Sequence, residues 1–203
     1  MSDATGEANA AWDDGPGPWD EARLLAALTG IGVAHTVHRH PPLFTVEDSK
    51  ALRGELPGAH VKNMFLKSKK GALWLVTCLE ERRIHVRDLE KALGAQKMSF
   101  GKPELLEETL GVTPGAVTPL AAVTDQGPAE IEQPKGRVAV AVDQAILEAP
   151  LVNCHPLHNE ATLALTPKDL LRVLQHAGHP PRLLDFDALE ALNAAREAQK
   201  EQG

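Results

Sequence analysis

The chain has 203 residues, is 43% hydrophobic and carries a formal net charge of −7. That length suits one domain with tails and is ample for a sizeable core. No apolar run approaches ~18 residues, which excludes a transmembrane helix, and the acidic surplus argues against a generic nucleic-acid binder.

In chain order, residues 1–18 are rich in Gly, Ala, Asp and Pro and read as a disordered leader. The start, Met1-Ser2-Asp3-Ala4, lacks the basic-then-apolar pattern of a signal peptide. A helix is predicted over Trp19–Thr29, with Leu24, Leu25 and Leu28 on one face, and a strand over Val33–His38. His40-Pro41-Pro42 forces an extended turn, and Thr45-Val46-Glu47-Asp48-Ser49 opens a capped helix to about Leu52. Val61–Leu66 and Ala72–Cys78 are apolar runs joined at Lys69-Lys70-Gly71, a hairpin. A short strand is predicted at Arg82–Val86, a helix from Asp88 to Leu93, an extended piece at Met98–Phe100 and a helix from Lys102 to Leu110. Gly111–Pro119 is a constrained Gly/Pro loop. Strands are then expected at Leu120–Val123, Arg137–Val142, Leu151–Cys154 and Thr162–Leu165. A helix opened by Thr166-Pro167 runs to Ala177, and a loosely held polar helix spans Ala188–Gln202. Interleaved strands and helices, joined partly by hairpins, give a mixed-sheet α/β or α+β class. The divisions are a leader at 1–18, a domain at 19–186 and a C-terminal helix at 187–203.

Charge is unevenly placed. Between Lys50 and Lys102, twelve Lys or Arg stand against five Asp or Glu, so a basic middle lies within an acidic protein. Such a block either steers an anionic partner to one face or merely solvates strand ends. Lys62 poses the same choice. It could offer, with Asn63, a cation and an amide to an anionic ligand, or it could be a strand lysine reaching water.

The sequence carries no Gly-x-Ser-x-Gly elbow, Walker loop or Gly-x-Gly-x-x-Gly fingerprint. Cys154 and His155 are neighbours on a strand and point to opposite faces, which opposes direct proton exchange. The two cysteines, Cys78 and Cys154, make no disulfide framework and read as reduced thiols of a cytosolic protein. The histidine groups (His35, His38 and His40; Cys154, His155 and His158; His176 and His179) match no zinc spacing, so no metal and no cofactor are expected.

Several stretches stand out together: His40-Pro41-Pro42 with Phe44-Thr45-Val46-Glu47, Lys62-Asn63-Met64-Phe65-Leu66, Gly115-Ala116-Val117-Thr118-Pro119, His155-Pro156-Leu157-His158-Asn159-Glu160-Ala161-Thr162, and Gly178-His179-Pro180. In this order, over about residues 20–186, the chain resembles the YbaK and prolyl-tRNA synthetase insertion-domain family of aminoacyl-tRNA deacylases. The resemblance is strongest to its freestanding prolyl-tRNA editing members of the ProX (PrdX) type. Cys154 departs from the pattern, since relatives commonly carry an aromatic residue there.

The resemblance implies a YbaK-like fold, a central mixed, mostly antiparallel sheet flanked by helices. It also implies a cytoplasmic hydrolase that deacylates mischarged tRNA in trans, the substrate's own terminal ribose hydroxyl replacing a protein nucleophile. Lys62 would be the catalytic residue, holding the terminal phosphate or ribose. Asn63, Phe44, Val46, Gly115, Ala116, Thr118, Pro119 and His155 would bind the substrate. The expected substrate is Ala-tRNA(Pro), with a cysteine- or serine-specific deacylase as the alternative within the class. A non-catalytic module gripping tRNA or a synthetase is the alternative outside it. The expected partners are the acceptor end of tRNA(Pro) and, as a second partner, prolyl-tRNA synthetase. No membrane partner is expected, and a monomer is, because no coiled coil or spare apolar helix is evident.

Overall fold

One strand, Ala59–Lys67 (β2), joins the two halves of the sheet. The computed structural model describes residues 17–42, 56–125 and 138–201. In chain order its elements are α1 (Glu21–Gly30), β1 (His35–Arg39), β2, β3 (Leu73–Leu79), α2 (Val86–Leu93), β4 (Ser99–Phe100) and α3 (Pro103–Leu110). A 3-10 turn of helix at Pro119–Thr124, β5 (Val138–Asp143) and a second 3-10 turn at Gln144–Glu148 follow. The chain then forms β6 (Val152–Cys154), β7 (Ala161–Leu165), α4 (Pro167–His176), β8 (Arg182–Leu184) and α5 (Phe186–Glu201).

The described strands form one eight-stranded sheet in the order β1-β7-β6-β2-β3-β5-β8, with β4 also paired to β2. The β1–β7, β6–β7, β2–β3 and β2–β4 pairings are antiparallel; β2–β6, β3–β5 and β5–β8 are parallel. This is the mixed, mostly antiparallel sheet flanked by helices that the resemblance implies. Along one edge β2 changes partner. Ala59 and His60 pair with β6, whereas Leu66 and Lys67 pair with β4. Val61–Phe65 stand at the fork between.

The period of two divides β2 and β3 between two cores. Phe65 and Leu75 enter the larger one, with Leu24 and Leu28 of α1, Leu106 and Leu110 of α3, and Leu170 and Leu174 of α4. Met64, Leu66, Val76 and Cys78 enter the other, with Leu89 and Leu93 of α2 and Phe186 of α5. Local chemistry sets the helix ends. Asp20 accepts the amide of Arg23 at 2.8 Å to open α1, and Thr166 accepts that of Asp169 at 3.1 Å to open α4. Pro103 and Pro167 occupy the first turns of α3 and α4, where no amide donor is needed.

Two expected strands are absent. Leu120–Val123 lies within the 3-10 turn, because Pro119 begins it and Thr118 caps it through the amide of Leu120. A four-residue apolar run does not distinguish a strand from a short helix, and here all four side chains are buried. Arg82–Val86 leaves the sheet, and Val86 already opens α2. Arg82 is buried and bonded to three carboxylates, Asp143 at 2.9 Å, Asp187, and Glu190 at 3.1 Å. The terminal helix is anchored rather than loose at its start. Phe186 is wholly buried, Asp187 and Glu190 hold Arg82, and Arg196 bonds Asp88 at 2.7 Å. Strand β8 has no counterpart in the sequence reading. The helix expected at 45–52, residue Arg137 and residues 1–16 of the expected leader lie outside the described residues.

Candidate functional site

The candidate site lies where the Gly115–Pro119 loop meets the turn between β6 and β7. Asn63 tethers that loop to the sheet. Its amide nitrogen donates to the carbonyl of Val117 at 2.9 Å, and its oxygen accepts from the Thr77 hydroxyl at 2.8 Å. Thr77 faces Asn63 across β2 and β3, so the tether starts from a rigid strand pair. Gly115 has φ +91°, a conformation that L side chains rarely adopt. The Asn159 amide nitrogen lies 3.9 Å from where a Gly115 Cβ would stand, which makes the two loops neighbours.

The second loop is also held in an unusual shape. Leu157 has φ 72° and packs against the larger core, an exception for a non-glycine residue that the packing sustains. His155 is half-buried, with Nδ1 3.3 Å from the Ala161 carbonyl. That carbonyl can only accept, so the proton sits on Nδ1 and Nε2 keeps its lone pair. Burial holds the imidazole below its usual pKa. The Ala161 hydrogen bond opposes the shift, while His40 and His158 nearby reinforce it. His158 orients the same turn. Its Nε2 donates to Glu21 at 3.0 Å and its Nδ1 accepts the Glu160 amide at 3.1 Å. Burial alone would raise Glu21, but the hydrogen bonds from Arg39 and His158 outweigh it and leave the carboxyl below its usual range. His40 completes the surround, with Nε2 3.0 Å from the Thr162 hydroxyl.

The expected site residues are therefore partly assembled and partly separated. Asn63, Gly115 and His155 belong to the two loops and the strand beneath them. Ala116, Thr118 and Pro119 are buried. Their side chains shape the loop from the core side, leaving Gly115 exposed. Lys62 points to the other side of the sheet from Asn63. It stands opposite Cys78 of the smaller core, and its ammonium donates to the backbone carbonyl of Arg82. The period of two that parts Cys154 from His155 parts these two neighbours as well, so the signal was present in the sequence. Phe44 and Val46 lie outside the described residues. Glu21, Thr77, Asn159 and Arg82 were not among the expected site residues. Asn159 alone had a local cue, in the His155–Thr162 turn; the others are brought in from distant parts of the chain.

The remaining candidates carry little chemistry. Burial pushes the thiols of Cys78 and Cys154 up to about 12, so neither is an available thiolate near neutrality. Among the described residues no three His, Cys, Asp or Glu side chains converge as a metal site. His179 is wholly buried, each ring nitrogen 2.9 Å from a carbonyl, of Val138 and of Asp125, a structural clasp.

Comparisons with known proteins agree with this architecture. A family model described as an aminoacyl-tRNA editing domain matches residues 40–173. The Bos taurus "Prolyl-tRNA synthetase associated domain-containing protein 1" is 38% identical over 171 residues, covering 82% of this chain and 95% of that protein. "Prolyl-tRNA editing protein ProX" of Acetoanaerobium sticklandii is 29% identical over 164 residues, covering 80% and 95%. The crystal structure of a protein described as a proposed trans-editing enzyme for prolyl tRNA synthetase shares the fold, with a TM-score of 0.58 at 21% identity over 83% of this chain and 98% of that one. With its sheet, its tethered glycine loop and this extent of similarity, the chain belongs to the aminoacyl-tRNA editing domain family.

Proposed function

We propose that the protein is a trans-editing deacylase that hydrolyses Ala-tRNA(Pro) to alanine and tRNA(Pro). The observation that carries this reading is the Gly115 loop, pinned to β2 through Asn63 and set against the turn bearing His155 and Asn159. An aminoacyl ester is already activated. Positioning and electrostatic stabilisation then suffice, and no strong protein nucleophile is required. Backbone groups of the loop hold the aminoacyl end. The neutral His155 offers the Nε2 lone pair toward a hydroxyl of the terminal ribose. In this reading Lys62 releases the Arg82 carbonyl and takes the terminal phosphate or ribose. The pocket selects by size, excluding proline where binding alone could not discriminate strongly. The reaction takes place in the cytoplasm, on tRNA released by prolyl-tRNA synthetase, and uses no cofactor.

One observation favours a second reading, a binding module without catalysis. Lys62 is engaged by Arg82 on the far side of the sheet from Asn63. Deacylation of Ala-, Cys-, Ser- and Pro-tRNA(Pro) by wild type and Lys62→Ala separates the two. The first reading expects hydrolysis of the alanyl ester, sparing of the prolyl ester, and a folded Lys62→Ala protein that has lost most activity. Lys62→Arg should also be poor, because a planar guanidinium does not replace a compact ammonium. Binding of every tRNA with hydrolysis of none would establish the module instead. Faster hydrolysis of the cysteinyl or seryl ester would move the substrate within the class.

A further inference from the structure

Folding gathers the lysines at one end of the basic middle onto a single surface. Lys67 ends β2 and pairs with Ser99 of β4, while the turn bearing Lys69 and Lys70 bonds Gln96 through the Lys69 amide. Lys67, Lys69, Lys70, Lys97 and Lys102 are all exposed. Among them stands Phe100, 64% exposed on a chain in which aromatic residues make up only 3%. An open groove of about 550 Å³ runs here between β4 and α3, lined by Lys67, Phe100, Gly101, Lys102 and Leu105, with Glu104 and Glu108 along its α3 side.

Phe100 is held out deliberately by its neighbours. The Gly101 amide donates to the Phe65 carbonyl at 2.9 Å, and a Cβ at Gly101 would come within 2.3 Å of the Phe65 ring. Gly101 is thus held against β2 on the Phe65 face, while Phe100, paired with Leu66, projects from the opposite face of β4 at the edge of the sheet. Lys67 and Asn63 lie on the same face of β2, four residues and so roughly 13 Å apart.

We propose that this groove receives the single-stranded 3′ end of tRNA, a base stacking on Phe100 while Lys67 and Lys102 contact the flanking phosphates. The assignment rests on the deacylase reading above and adds the path by which the substrate reaches the loop. An exposed aromatic ring within a cluster of cations is the chemistry of single-strand binding, since every base has a face to stack and every linkage a charge. Such an arrangement also explains how a protein of net charge −7 can hold a polyanion: its cations are concentrated where the strand lies.

The test is equilibrium binding of uncharged tRNA(Pro) transcript, intact and without its single-stranded 3′ tail, across a salt series. Wild type should bind the intact transcript more tightly. Phe100→Ala should weaken that binding about tenfold, leave the salt slope unchanged and abolish the preference for the intact tail. Lys67→Ala with Lys102→Ala should lower the salt slope by about 0.7 per lysine. In deacylation of Ala-tRNA(Pro), both variants should raise KM and keep kcat, as loss of remote binding does. Variants that bind and turn over like a competent wild type overturn the groove and leave the deacylase reading standing. Unchanged tRNA binding with loss of binding to prolyl-tRNA synthetase overturns it in favour of a protein contact. A wild type that neither binds nor hydrolyses the substrate removes both readings.

Discussion

His155 shows how one side chain's surroundings set its chemistry. Its folded pKa lies below the usual imidazole value because burial penalises the cation. Above the usual value both folded and unfolded chains are neutral, and the group's contribution to stability is fully present. As pH falls below that value, the unfolded chain takes up a proton that the fold resists. Stability then declines until pH reaches the lowered folded value. His155→Gln should therefore flatten the fall in stability between about pH 7 and pH 5, measured by urea unfolding across that range; an unchanged profile would show that His155 is not protected from protonation. Gly115 is the second residue whose environment decides its role. A Cβ there meets no atom closer than 3.9 Å, so Gly115→Ala acts through φ +91° rather than by collision. The loop should shift, and hydrolysis of Ala-tRNA(Pro) should fall by about 1–3 kcal/mol in activation free energy if one backbone donor is displaced. Pro119→Gly should loosen the same loop from its buried end and, if that loop bounds the pocket, raise the relative rate on Pro-tRNA(Pro). Single-turnover rates on both esters, with folding checked by circular dichroism, measure the ratio. A ratio unchanged in both variants would place the size filter elsewhere.

Among the elements, α5 is tied most directly to the neighbourhood of Lys62. Asp187 and Glu190 project from it onto Arg82, whose guanidinium also holds the fully buried Asp143 and whose carbonyl accepts from Lys62. Arg82→Met should cost about 3–5 kcal/mol, because it strands the Asp143 charge in the interior. Adding Asp143→Asn should recover a large part of that loss by removing the stranded charge. Asp187→Asn, at the exposed end of the network, should leave the unfolding midpoint close to wild type. Urea titrations of the four proteins test the ranking, and an Arg82→Met midpoint equal to wild type would remove the network from the stability of the fold. By composition alone, α5 reads as a polar terminal helix. Its attachment depends on carboxylates meeting an arginine more than a hundred positions away.

At the scale of the molecule, the sheet separates two cores and carries one cysteine in each, Cys78 in the smaller and Cys154 in the larger. Both thiols are buried and stay protonated near neutrality. Cys78→Ser and Cys154→Ser should each destabilise by about 1–3 kcal/mol if the new hydroxyl finds no partner. Because the sites lie on opposite faces, their effects should add to within about 0.5 kcal/mol, and the folded double variant should still deacylate. A large coupling energy from the double-mutant cycle would mean that the two cores do not respond independently. Loss of activity in folded Cys154→Ser alone would point to a thiol mechanism.

The sequence by itself determined the parts whose causes are local. Asp20, Thr166, Pro103 and Pro167 mark helix starts, Gly94 and Gly111 mark helix ends in the left-handed conformation, and Lys69-Lys70-Gly71 marks the β2–β3 hairpin. Alternation along β2 also contained the split between Lys62 and Asn63, since side-chain direction follows from strand geometry alone. The tertiary structure alone decided what those side chains meet. Arg182–Leu184 is a strand only because β5 offers an edge to a segment with little strand character of its own. Pro119–Thr124 is a 3-10 turn because its loop must drop into the core, and Lys67 and Lys102 line one groove because β4 returns to the end of β2. Each is a contact between residues distant in the chain, and its free energy depends on partners that no local pattern records.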